Sequence, residues 1–139
     1  MVVQDDRLTT LNLLNLEIFG SFIGVISLSL FIFISYTSKN IILTSYLSGR
    51  NLRPTFSLDD AALVGRILLV LAGFIAANTT TMRLMLLIQK VLRNEPLEGP
   101  LIPNIWLTIG IWTSFVGGLI ALVGDYERAQ LASPRLPVE

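Results

Sequence analysis

Three apolar stretches dominate the pattern along the chain, separated by short polar segments. The first is uncharged from Ile18 to Tyr36 and the last from Ile105 to Val123, nineteen residues each. Nineteen helical residues reach roughly 28 Å, close to the hydrocarbon thickness of a bilayer. The middle stretch starts with readable helix signals. Ser57 is a good N-cap, Asp59 and Asp60 fall in the first turn, and Ser57-x-x-Asp60 resembles a capping box. No proline then intervenes until Asn94-Glu95-Pro96, so a single helix of some 36 residues is expected there. At roughly 54 Å it is too long for the hydrocarbon and must extend beyond it. The pattern therefore predicts an all-α integral membrane protein, three transmembrane helices in a small bundle, with helix 2 long.

The embedded part of helix 2 has two candidate placements. Residues 61–77 leave Arg66 near one edge, where it can snorkel, and this is the expected span, with the helix continuing to 93. The alternative, 67–87, brings Asn78, Thr79, Thr80 and Thr81 near mid-bilayer and Arg83 toward the far edge. Helix 1 spans 18–36, and its polar Thr37-Ser38-Lys39-Asn40 is followed by an apolar face up to Gly49, a plausible helix stop with Pro54 beyond it. Residues 41–48 either project as helix or lie along the interface. Pro103 suits the first position of helix 3, which spans 105–123, and Trp106 suits an interfacial anchor. One or two helical turns follow Gly124, and Ser133-Pro134 ends them, leaving 133–139 as an expected flexible tail.

Small residues recur in phase on all three helices. Gly110, Ser114, Gly117, Ala121 and Gly124 follow spacings of four, three, four and three, placing them on one helix edge. Gly20, Gly24 and Ser27 do the same on helix 1, and Gly65, Ala72 and Ala76 on helix 2. Lipid is as apolar as leucine, so membrane helices associate by close packing, which small residues permit. Helix 3, with the longest stripe, is expected to be the helix against which the others pack.

Composition narrows the chemistry. In 139 residues, 53% are hydrophobic and only 14% charged, below the ~25% of a soluble domain. Ten basic and ten acidic residues cancel without a basic cluster, which argues against a nucleic-acid partner. There is no cysteine and no histidine, so thiol chemistry and the usual haem and zinc ligation are unavailable, and no cofactor or metal is expected. Glu17, at the start of span 1, reads as a snorkelling carboxylate, with pairing to an arginine or a proton path as the alternatives. Arg66 reads as snorkelling or paired, with a lipid headgroup as the alternative ligand. The Asn78–Thr81 cluster marks the exit of helix 2 from the bilayer, a set of interhelical hydrogen bonds, or a wet lining. The N-terminus is acidic and unlike a secretory signal. Lys39, Arg50, Arg53, Arg128 and Arg135 against Arg7, Lys90 and Arg93, five against three, favour an outside N-terminus and a cytoplasmic C-terminus.

These features suggest a non-catalytic structural or accessory subunit that sits in a lipid bilayer and assembles with other membrane subunits or with copies of itself. In size and span count the chain also resembles phage holins, although its tail is of mixed charge. That resemblance implies a homo-oligomeric pore, for which Asn78 to Thr81 with Ser27, Ser29 and Ser35 would supply the lining.

Overall fold

A computed structural model describes residues 2–50, 57–97 and 99–132, and every regular element among them is an α-helix. These are α1 (Val2–Ser48), α2 (Leu58–Leu92) and α3 (Leu101–Ala132). Each is long and apolar enough to cross a membrane, so the protein is an all-α integral membrane protein with three candidate spans. Arg53, Pro54 and the tail at 133–139 lie outside the described residues.

The helix ends follow local chemistry. At 47 residues α1 is roughly 70 Å long, and residues 41–48 continue it through the polar break. Gly49 then takes φ +63°, the left-handed conformation that only glycine adopts without cost, and the helix stops. At the start of α2 the Ser57 hydroxyl accepts a hydrogen bond from the Asp60 amide at 3.1 Å. At its end Asn94 sits at φ 54°, with Asn94 N–H donating to the Val91 carbonyl and Glu95 N–H to that of Lys90. This is a Schellman arrangement, and it satisfies carbonyls that the helix leaves open. α3 begins at Leu101, so Pro103 occupies its third position rather than its first. A first-turn N–H has no intrahelical partner, so the proline costs nothing there. Beyond Gly124 the helix runs on to Ala132.

The order of packing departs from expectation. α2, not α3, is the helix against which the others pack. α1 and α3 each lie antiparallel to α2, and among the described residues no Cα of α1 comes within 8 Å of one of α3. The three helices form a small open bundle with α2 in the middle. The reason lies in α2, which can approach a neighbour on either side. It turns Gly65, Ala72 and Ile75 toward α1, and Val70, Gly73 and Thr81 toward α3. Val64, Ile67 and Leu71 form its exposed apolar back.

Side-chain contacts fix how the helices are aligned. Against α1, Gly65 meets Phe31, Ala72 meets Gly24, and Ile75 meets Gly20. Against α3, Val70 meets Gly118, Gly73 meets Phe115, and Thr81 meets Trp112.

Candidate functional site

The seam between α1 and α2 is built on missing side chains. Among the shielded positions of α1, Leu13, Glu17, Gly20, Gly24, Ser27 and Phe31 follow spacings of four, three, four, three and four, with the buried Ile23 and half-buried Leu30 and Ile34 beside them. A 3.5-residue repeat of this kind keeps one edge against a neighbour. A Cβ placed on Gly20 would come within 3.0 Å of Ile75 Cγ2, so any larger residue requires Ile75 to give way. Ser27 is fully buried in this seam and donates its hydroxyl to the Gly65 carbonyl at 2.7 Å.

Where the small faces do not close on each other they leave a groove of about 670 Å³. Its floor is α2, with Ala72, Gly73, Ala76 and Thr80. Gly20 and Gly24 belong to one wall, Ser114 and Gly118 to the other, and Glu17 and Arg83 stand at one end. The groove exists because side chains of one to three heavy atoms cannot fill the space between α1 and α3. Beside it lies a second pocket of about 270 Å³, lined by Thr10, Lys90 and Asn104 and again by Arg83.

Both arginines of the middle stretch are paired across helices. Arg83 Nη2 lies 2.8 Å from Glu17 Oε2, joining α2 to α1. Arg66 Nε donates to Asp125 Oδ2 at 2.7 Å, joining α2 to α3. The Arg66 guanidinium also lies 5.1 Å from the centroid of the Phe31 ring of α1, a cation–π distance. Arg66 thus touches both neighbours of its helix.

The polar cluster of α2 satisfies itself. Asn78 donates to the Phe74 carbonyl at 2.8 Å, and the hydroxyls of Thr79, Thr80 and Thr81 donate to carbonyls of Ala76 or Ala77. One interhelical bond is added, from Trp112 Nε1 to the Thr81 hydroxyl at 2.9 Å. Among the described residues no buried side-chain nitrogen or oxygen lacks a partner. Nor do three potential metal ligands converge there.

The α3 stripe is placed differently from the other two. Among the described residues, no neighbouring heavy atom lies within 4 Å of the Cβ positions of Gly110, Gly117 and Gly124. Ser114 is exposed on the groove rim, and Ala121 is half-buried. The glycine of α3 that does meet α2 is Gly118, against Val70. Sequence reasoning passed over Gly118, Gly73, Phe115 and Asp125. Asp125 carried a signal, because an arginine at the start of an antiparallel span calls for an acid at the end of its neighbour. The chain matches no protein-family model, no curated protein and no solved structure.

Proposed function

We propose that the chain is a non-catalytic accessory subunit of a larger membrane assembly, docking through the open small-residue face of α3. The single observation that carries this reading is the empty space around Gly110, Gly117 and Gly124. Glycine costs ~1 kcal/mol relative to alanine inside a helix. Three glycines in phase whose Cβ positions meet no neighbour among the described residues are explained if another backbone packs on them. A non-catalytic role is supported by the lack of His and Cys and by the ion pairing of Glu17 and Asp125, which flank the apolar stretches of α1 and α3.

The alignment of α2 with α3 supports the second placement of α2, with 67–87 in the hydrocarbon. Placing 61–77 there would draw Asp125, level with Arg66, and then Glu127 and Arg128 toward the bilayer interior. With 67–87 embedded, the Arg66–Asp125 tie lies at one boundary. The Asn78–Thr81 donors are then spent on their own helix, as hydrocarbon requires. An outside N-terminus and a cytoplasmic C-terminus remain part of the proposal, supported by the basic residues.

Native mass measurement in mild detergent tests the subunit reading. A stoichiometric foreign membrane protein is expected, lost in Gly117→Ile and retained in the control Ile120→Leu on the lipid-exposed side. Membrane insertion should be equal in both. A closed ring of copies would replace this reading with the pore, and a lone monomer would sink both.

A further inference from the structure

The apolar stretches of the three helices are not level, and the two seams measure the offset. Gly24 meets Ala72 and Gly20 meets Ile75, so Ser27, the midpoint of 18–36, stands level with Leu69. Phe115 meets Gly73, so Ser114, the midpoint of 105–123, stands level with Phe74. The uncharged part of α2, between Arg66 and Arg83, is centred there too. α1 alone is displaced, by roughly 8 Å toward the Arg66 end. Beside Asp125, Glu127 and Arg128 of α3 it is still apolar, with Ile32 and Tyr36 exposed.

We propose that the outer face of α1, from Phe22 through Val25 and Ile32 to Tyr36, is covered by lipid acyl chains up to Tyr36, and that the three-helix unit stands tilted in the bilayer to bring it there. The proposal rests on the alignment of α2 and α3 with the bilayer and not on the partner at Gly117. Side-chain size favours lipid over a partner helix as the occupant. Helix contacts in membranes are enriched in small residues, whereas Phe22, Val25, Ile32 and Tyr36 are large and exposed. Ser29 interrupts this face, and its hydroxyl donates to the Val25 carbonyl at 2.8 Å, as hydrocarbon requires. No charged residue occurs from Ile18 to Ser38, and Tyr36 suits the headgroup level at the top.

Tilting is the response that keeps every helix in a bilayer of ordinary thickness. Packed helix axes lie ~9 Å apart, so α1 and α3, on different sides of α2, are separated by up to ~18 Å. A tilt of roughly 25° across that width levels their boundaries, close to the ~20° common for membrane helices. The charged residues follow the same slope. Arg66 lies under the Phe31 ring toward α1 and pairs with Asp125 toward α3, so its charge leaves the hydrocarbon on the lower side. At the other end Glu17 bounds α1 level with Asn78, while α3 stays apolar down to Ile105, level with Arg83. Arg83 reaches back across that step to Glu17.

The full purified chain is placed in phosphatidylcholine vesicles, with Trp106→Phe and Trp112→Phe removing its own fluorescence. A single tryptophan is then returned as Ile32→Trp or as Tyr126→Trp, positions at nearly the same height along α2. Phosphatidylcholine brominated on its acyl chains should quench Ile32→Trp several-fold more than Tyr126→Trp, and emission from Ile32→Trp should lie further to the blue. Unchanged helix content in both variants shows that the fold is kept. Weak quenching at both positions would mean that the α1 face leaves the hydrocarbon, and would overturn the proposal while sparing the placement of α2. Strong quenching at both would mean that 61–77 is embedded after all, and would overturn the placement together with the proposal. Polarised infrared spectra of the unaltered chain in aligned bilayers provide a second reading. A mean helix tilt of roughly 25° is expected, and one of about 10° or less would overturn the proposal. None of these outcomes depends on Gly117→Ile, so this inference and the subunit reading fail separately.

Discussion

Along the α1–α2 seam the backbones draw together over Gly20, Gly24 and Gly65, while along the α2–α3 seam aromatic rings occupy the space. Phe115 stands 5.7 Å, centroid to centroid, from Phe74 and 5.7 Å from Trp112, the latter edge-on. One seam depends on side chains being absent, and the other on large ones fitting. Yet α3 carries the longer small-residue stripe, and most of that stripe faces away from α2. Regular spacing therefore reports which residues share a face, whereas the bulk on neighbouring faces decides which face meets a partner. In α3 the aromatic face with Phe115 gained more contact against α2 than the glycine face could.

The largest test of this contrast is steric. Gly20→Leu would set its Cβ 3.0 Å from Ile75 Cγ2, which must shift, and should cost about 3 kcal/mol, read as a lower melting temperature in detergent. Gly118→Leu meets Val70 at an ordinary 3.5 Å and should cost clearly less. Equal losses would mean that the two seams do not differ in closeness.

Next come the ion pairs, one per seam. The Arg66 and Asp125 side chains are 25% and 14% exposed, those of Arg83 and Glu17 36% and 29%, so the first pair is the less solvated. Asp125→Leu strands Arg66 and should cost about 2 kcal/mol, most of it recovered in Arg66→Met/Asp125→Leu, where no charge is left alone. Glu17→Gln should cost about 1 kcal/mol or less. The reverse order would show that exposure does not rank these pairs.

Single hydrogen bonds come third. Ser27→Ala removes the bond to the Gly65 carbonyl, and Trp112→Phe removes the one to Thr81 while keeping a ring against Phe115. Interhelical bonds in membranes average ~0.6 kcal/mol, and the fully buried Ser27 should lie above that figure and Trp112 near it. Chemical unfolding of the two variants side by side would rank them.

The smallest effect is expected where the stripe is open. Gly110→Ala should leave the chain's own stability unchanged or raise it by up to ~1 kcal/mol through helix propensity. Gly65→Ala, whose Cβ would lie 3.3 Å from the Phe31 ring, should lower it. A fall in melting temperature for Gly110→Ala would show that α3 packs on that face within the monomer.

Much of this architecture was legible in the residues themselves. Helix existence, the Ser57 cap, the Gly49 stop and the end at Asn94 depend on a few adjacent residues, and local chemistry is what a sequence states directly. The apolar lengths likewise fixed three membrane-spanning helices, because a bilayer has one thickness. Who packs on whom was decided only in three dimensions. It depends on how the surfaces of separate helices match in bulk, and no spacing within one helix encodes its neighbour's shape. The pairing of Arg66 with Asp125 joins residues 59 positions apart and needed the antiparallel alignment to be known. The groove at Ala76 is a volume that three helices enclose and none fills. A sequence names the side chains that are small, but only the assembled helices show where their smallness leaves a space.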